Sequence, residues 1–376
     1  MKKVSIIIPL YNLEKLIGKC IASALAQDLS PEEYEILVID DGSTDGTPEA
    51  IEAHRGVLAE AGIDLICLRQ DHRGQAAAIN LGLSAVTGAY VTWPDSDDVM
   101  REDNIERKVA HLDAPSRRRG SSACQVANVR EDALDDVISV TRVPDTSDPW
   151  LFDRLIRDRG AYCLDIAYLA RTDALFDALG GRRIVESPAG QNFQLLLPLA
   201  YRYPCGFIDE PLAAYVERAG SHSRSFTTVE QQIQRTYEFE ELLHRVLASM
   251  RMDPGDQEVY GRYVDRKFLP RRWSSPCRLE IRSCSREPRP SSTAPRAGGS
   301  PTRRRRSISP RWRARWRIWR TSWTSTSPLT RSRSPCPPLT PRPTTRTRTG
   351  STTSLRRGRG QHGHVALDCP AFMAET

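Results

Sequence analysis

The chain has 376 residues, 39% of them hydrophobic, which is enough for the core of one large α/β domain or two smaller ones. Its nine cysteines are scattered without a CxxC pair, which argues against a disulfide framework or a metal finger, and no apolar run reaches the roughly 18 residues of a membrane span. The net charge of +7 conceals two unlike parts: residues 271–376 hold 24 arginines, 4 acidic residues and no lysine, which leaves residues 1–270 near −13.

Val4 to Ile8 is too short for a signal h-region, so a cytoplasmic protein is expected, and its continuous apolar, β-branched character is that of a central parallel strand. Asn12 is placed to cap a helix whose apolar stripe includes Leu13, Leu16, Ile17, Cys20, Ile21, Ala24 and Leu25. A second apolar run, Ile36 to Ile39, ends in Asp40-Asp41-Gly42-Ser43, and Thr47-Pro48 then reads as a cap followed by proline at the first helical position. The alternation continues with a strand at Ile63 to Leu68, a helix from Gln75 to Ala85, a strand at Tyr90 to Trp93 and a helix capped by Asp103. Four strands separated by helices predict a parallel, doubly wound sheet.

Beyond residue 115 the signals are mixed. Strands are expected at Val137 to Val143 and Tyr162 to Ala170, and helices at Leu151 to Arg157, Asn192 to Ala200 and 227–250. Gly180-Gly181 reads as a turn. From residue 271 the composition turns to Arg, Ser, Pro and Thr, with five of the seven tryptophans, and cannot bury enough apolar surface to offset its chain entropy.

Ligands of open parallel sheets sit beyond the carboxyl ends of the strands. This sequence puts Pro9-Leu10-Tyr11-Asn12 after the first strand, Asp40-Asp41 after the second and Asp95-Ser96-Asp97-Asp98 after the fourth. Taken singly, the two acidic groups read equally well as a turn and a helix start. Their coincidence at several strand ends favours a divalent cation, Mg2+ or Mn2+, because clustered carboxylates repel one another unless a cation neutralises them.

The segments Val-Ser-Ile-Ile-Ile-Pro-Leu-Tyr-Asn from Val4, Ile-Leu-Val-Ile-Asp-Asp-Gly-Ser-Thr-Asp-Gly-Thr from Ile36, Arg73 to Gly82, and Thr87 to Asp98 together resemble family-2 glycosyltransferases of the GT-A fold. The resemblance covers about 100 residues strongly and continues more weakly to about residue 225. It implies a GT-A-like nucleotide-diphospho-sugar transferase fold: a mostly parallel central sheet flanked by helices, with nucleotide binding in 1–110, acceptor recognition in 111–225 and a helical extension over 226–270. It also implies that Pro9, Tyr11 and Asn12 line the nucleotide pocket, with Tyr11 on the base, that Asp40 receives hydrogen bonds from base or ribose, and that Asp41 supports that loop. Arg73 and Asn80 fall in the base and diphosphate region. Asp95, Ser96, Asp97 and Asp98 match the Asp-x-Asp region, with Asp95, Asp97 and Asp98 as metal ligands.

The implied reaction is inverting transfer of a sugar, hexosyltransferase-like, from a UDP-sugar or other nucleotide-diphosphate sugar to the hydroxyl of a sugar or lipid-linked acceptor, as in polysaccharide or glycoconjugate synthesis. Many members of the family place Glu-Asp, with Asp as base, where this chain has Gln191-Asn192. Asn192 cannot take a proton at neutral pH, so Glu186 is the nearest substitute base, with Asp209-Glu210 another option, and Gln191 and Asn192 are left to bind acceptor hydroxyls. The segment Tyr215 to Ser223 resembles the part that closes over the diphosphate, where Arg218 would meet phosphate and His222 would complete the metal shell.

Two rivals remain at this stage. A nucleotidyltransferase would show a Gly-rich basic loop where this chain has Pro-Leu-Tyr-Asn, and a non-catalytic sugar-nucleotide binder would fit Asn192. The tail admits two readings as well. Trp312, Trp316, Trp319 and Trp323 among arginines could form a helix lying on the anionic inner face of a membrane, whereas nucleic acid is not the expected partner. Arginine without lysine in so biased a composition is also what a GC-rich gene yields after a frameshift near residue 270.

Overall fold

A computed structural model describes residues 3–114, 118–143, 145–188, 190–217 and 228–268. Residues 271–376, with the membrane-helix and frameshift readings made for them, lie outside the described residues, as do Arg218 and His222.

The first half alternates as its periodicity requires. Strands β1 (Val4–Leu10), β2 (Tyr34–Asp40), β3 (Asp64–Arg69) and β4 (Tyr90–Thr92) are separated by helices α1 (Ile17–Leu25), α2 (Thr47–Glu60) and α3 (Gln75–Ala85). All seven positions of both β1 and β2 are buried, which is why neither shows the alternation of a half-exposed strand. The four strands run parallel in the order β3-β2-β1-β4. Leu10 is in register with Asp40, and Asp40 with Arg69, so the carboxyl ends of β1, β2 and β3 share one edge.

The remainder completes one mixed sheet with β5 (Val99–Met100), β6 (Ser121–Arg130), β7 (Ala133–Thr141), β8 (Tyr168–Arg171) and β9 (Cys205–Glu217). The order is β3-β2-β1-β4-β8-β6-β9-β5, with β7 on β6. Strand β8 runs antiparallel to both β4 and β6, whereas β6 and β9 are parallel. Helices α4 (Asn104–Asp113), α5 (Phe152–Ile156), α6 (Thr172–Leu179), α7 (Gln191–Arg202) and α8 (Val229–Ser249) pack around it, followed by α9 over 254–268. The architecture is the expected α/β type, with its first four strands parallel and β5, β7 and β8 antiparallel to their neighbours.

Several local expectations are corrected. Asn12 does not cap α1, which begins at Ile17; its backbone is left-handed (φ 52°) and its Oδ1 accepts from the Thr44 amide at 2.8 Å. Asp103 precedes α4 without capping it, because its carboxylate is taken by Arg101. Only 168–171 of the strand expected from Tyr162 is extended; Asp165–Ala167 form a 3-10 turn instead. In α8 the buried residues are Glu240, Leu242, Leu243, Val246 and Leu247, while Val229 and Tyr237 are exposed. Gly180 does end α6 in a left-handed turn, as the sequence suggested.

Candidate active site

The cleft is built where β1, β2 and β4 end. Asp40 and Asp41 are both 2% exposed at the tip of β2, and each is occupied by local partners. Asp40 accepts from the Ser43 amide at 2.8 Å and pairs with Arg69 Nη1 at 3.0 Å. Asp41 organises the segment before α3: its oxygens accept from Gln70 Nε2 at 2.6 Å and from the amides of Arg73 and Gly74 at 3.0 and 2.8 Å. His72 Nδ1 lies 2.9 Å from the same carboxylate. A buried carboxylate that receives several N–H bonds fixes a loop that would otherwise be free to move.

That loop delivers Gln75, at the start of α3, to the end of β4, where its Nε2 donates to Asp95 Oδ1 at 2.7 Å. The ends of β2 and β4 are therefore linked through the start of α3, by Asp41 on one side and Asp95 on the other. Asp95 and Asp97 are half-buried, Ser96 and Asp98 buried, and Asp98 Oδ1 accepts from the Val216 amide in β9 at 3.0 Å. Tyr11 is 40% exposed and stacks on His72, ring centroids 3.9 Å apart, so its face is covered by an imidazole. Asn12 is exposed beside it, and Pro9 is buried within β1.

A fourth carboxylate, which pattern reading missed, completes the acidic end of the cleft. Asp165 is 3% exposed in the 3-10 turn and hydrogen-bonds the Asp95 side chain. Burial, then the charges of Asp95 and Asp98, push its carboxyl well above the usual range. The fully buried thiol of Cys20 feels the same field: burial and then Asp98, Asp97, Asp95 and Asp165 all push it up. The turn is held by the buried Lys108, whose Nζ donates to the Ile166 carbonyl at 3.0 Å, and burial lowers that ammonium below its ordinary value. The available signal was one acid inside the apolar run Tyr162 to Ala170, since a carboxylate buried there needs a partner.

Hard oxygen donors crowded together, at an electrostatic cost that neighbouring groups register, are the chemistry a divalent cation relieves. Asp95, Asp97 and Asp98 carry oxygen donors of the type such an ion takes. Among the described residues the trio whose ligand atoms all lie within 4.8 Å of one another is elsewhere: Glu240, His244 and Asp265.

The second wall comes from the loop before α7. Arg73 Nη2 donates to Glu186 Oε2 at 2.7 Å, and Arg183 lies 3.4 Å from the other oxygen. Asn80 is buried, and its amide exchanges two hydrogen bonds, 3.0 and 2.8 Å, with the backbone of Ile184 and so pins this loop. Gln191 and Asn192 begin α7 and are half-buried. Their position rests on Gly190, whose φ of 68° and whose place against Leu242 exclude a side chain: a Cβ there would stand 2.2 Å from Leu242 Cδ2. The other base option is structural, because Glu210 is gripped by Arg107 at 2.7 and 2.9 Å and Asp209 receives the Gln125 amide.

Residues 5–120, which carry β1 to β4 and the Asp95–Asp98 cluster, match the profile of Glycosyl transferase family 2. Over these residues, about a third of its length, the chain is similar to family-2 glycosyltransferases. It is 36% identical to Glycosyltransferase GlyA of Streptococcus pneumoniae over 104 residues, which are 28% of this chain and 14% of GlyA. It is 36% identical to Glycosyltransferase GlyG of the same organism over 104 residues, 27% of this chain and 33% of GlyG. It is 33% identical over 113 residues, 30% of this chain and 19% of the relative, to the poly(ribitol-phosphate) beta-N-acetylglucosaminyltransferase TarS of Staphylococcus aureus. The matched stretch thus spans a third or less of each of these relatives.

Likeness of fold extends further than likeness of sequence. The structure of S. aureus TarS 1–349 in complex with UDP-GlcNAc aligns over 72% of this chain and 73% of that one, with a TM-score of 0.55 at 20% identity. The shared fold therefore extends into the β6–β9 half, beyond the matched residues 5–120. No described helix is long and apolar enough to cross a membrane.

Proposed function

We propose that this chain transfers a sugar, with inversion, from a nucleotide-diphosphate donor, a UDP-sugar foremost, to an acceptor hydroxyl, with Mn2+ or Mg2+ held by Asp95, Asp97 and Asp98. The observation that carries the reading is the meeting of Asp40, Asp41, Gln75 and the Asp95–Asp98 cluster at one set of strand ends inside a family-2 segment. TarS, whose structures hold UDP-GlcNAc and UDP, shares the fold, and this supports a nucleotide sugar as donor.

The bound cation would neutralise charge on the departing diphosphate. The chain's own residues do the rest. Tyr11 turns from His72 to the nucleotide base, Pro9 and Asn12 border the pocket, and Asp40 meets base or ribose through exchange of its Arg69 contact. Arg73 serves the diphosphate, and Asn80 holds the loop that faces it. Glu186 takes the proton from the acceptor hydroxyl, which requires Arg73 to swing from its carboxylate to the donor, and Gln191 and Asn192 orient that hydroxyl. Arg218 and His222 are assigned to phosphate and metal. On this reading residues 1–110 bind nucleotide and 111–225 the acceptor, a sugar or a lipid-linked sugar, in polysaccharide or glycoconjugate assembly.

Turnover of a panel of nucleotide sugars with Mn2+ tests it. The parent chain releases nucleoside diphosphate, and Asp97→Ala loses about 100-fold or more, the scale of removing one electrostatic stabiliser of the leaving group. Binding of a nucleotide sugar without any turnover in the parent would leave a sugar-nucleotide binder instead.

A further inference from the structure

Beside the donor cleft lies a cavity of about 530 Å3, within the roughly 300–1,000 Å3 range of small-molecule sites. Arg73 and Glu186 form the wall it shares with the cleft; Arg183 and Arg245 approach from the loop before α7 and from α8. Three guanidinium groups thus face one carboxylate. Glu186 occupies two of them, while Arg245 has no carboxylate partner among the described residues.

The floor is less expected. Gln194, one turn into α7 and 2% exposed, lines the cavity, and neither Nε2 nor Oε1 of its amide has a hydrogen-bond partner among the described residues. Buried amides are normally satisfied, because an unmade hydrogen bond forfeits the hydration both atoms had in the unfolded chain. An unpartnered amide that can both donate and accept, buried in a wall that also carries apolar Leu179 and Pro198, matches a hydroxyl group on a carbon skeleton. Guanidinium groups in excess at the opening match a phosphate, which they bind bidentately.

We propose that this cavity binds the acceptor, and that the acceptor is a phosphorylated polyol or sugar: hydroxyls inward on Gln194, phosphate outward between Arg183 and Arg245, and one further hydroxyl beside Glu186. The acceptor role rests on the transferase reading above. The binding itself does not. The opposite end of the cleft is acidic and would repel such a ligand without its cation, so the phosphate is drawn to the arginine end alone.

Calorimetric titration of the full chain with glucitol 6-phosphate tests the assignment, with glucitol and inorganic phosphate as partial probes and UDP titrated separately. Glucitol 6-phosphate is expected to bind one to one, at least about tenfold more tightly than either partial probe, and about tenfold more weakly to Arg245→Glu, the scale of one charge-assisted contact. Gln194→Leu is expected to lose affinity for the phosphopolyol and keep that for inorganic phosphate; should it fail to melt cooperatively, the exposed Arg245 variant decides. Equal affinity for glucitol 6-phosphate and inorganic phosphate, or an unchanged Arg245→Glu, overturns the proposal. Binding of UDP without glucitol 6-phosphate removes the cavity assignment and leaves the transferase reading; the reverse keeps the phosphopolyol site and removes its role as acceptor.

Discussion

Glu186 sits between two demands. As the partner of Arg73 and Arg183 it is an ion-pair acceptor; as a base it must be released to meet a hydroxyl. Glu186→Gln keeps the shape and removes the proton acceptor, so sugar transfer is expected to fall by about 100-fold or more while donor binding changes little. Steady-state kinetics with a separate donor-binding assay checks this, and parallel loss of donor affinity would assign Glu186 to the Arg73 scaffold alone. Asn192→Asp places a carboxylate where relatives of this type commonly carry one. If Glu186 already serves, that variant is expected to gain no more than about threefold, since a well-placed base accounts for only part of the barrier. The strand-end acids were legible in the sequence because turn-forming acids after apolar runs are conspicuous. Asp165 was not, since its partner Asp95 lies 70 positions away and only the fold joins them.

At the scale of elements, legibility follows burial. Strands β1 and β2 are unbroken β-branched runs buried on both faces, so composition alone marks them. The ten-residue β6 is also buried almost throughout, yet its residues are Ser-Ser-Ala-Cys-Gln-Val-Ala-Asn-Val-Arg, mostly small and polar types that close packing between β8 and β9 permits, with only the two valines favoured in strands. Strand β9 was hidden similarly by Pro211 and by Asp209-Glu210. Glu210 there ties β9 to α4 through Arg107, whose hydrogen bonds hold its carboxyl below the usual range despite burial. A carboxylate lowered in the folded state contributes stability that is present above its unfolded value and fades as pH falls through the folded one. Glu210→Gln is therefore expected to lower stability by about 0.5 kcal/mol at pH 7, a modest figure because the pair is partly solvent-screened. The difference from the parent should begin to shrink as pH falls below about 4.3, the unfolded value, and vanish below the lowered folded one; urea melts at pH 7 and along an acid series measure it, and a gap that persists throughout would assign the effect to packing. Gly190 matters more to α7: Gly190→Ala meets both the left-handed backbone and the buried Leu242 side chain, and is expected to lower stability by about 2–4 kcal/mol in thermal melts.

For the whole molecule, the question is where the folded unit closes. The sheet alone does not settle it, because its last strand ends at Glu217 while the core continues into the two helices that follow. Leu242, Leu243, Val246 and Leu247 of α8 belong to the main core, and so do Val264 and Phe268 of α9, each with no exposed surface. Arg157 and Lys267 reinforce the closure: the first stacks over Tyr263 at 4.5 Å, the second pairs with Asp158 at 2.6 Å. Removing two fully buried side chains, one of them aromatic, deletes contacts whose single loss by truncation to alanine is typically worth about 2–5 kcal/mol. That approaches the entire stability of an ordinary domain. A chain ending at residue 250 is therefore expected not to melt cooperatively, whereas one ending at residue 268 is expected to keep the parent's midpoint within about 2 °C, the scale of a surface change. A midpoint that drops well beyond that in the 1–268 chain would mean that the arginine-rich segment contributes to the fold, and the reading of that segment as a frameshift product would fall with it.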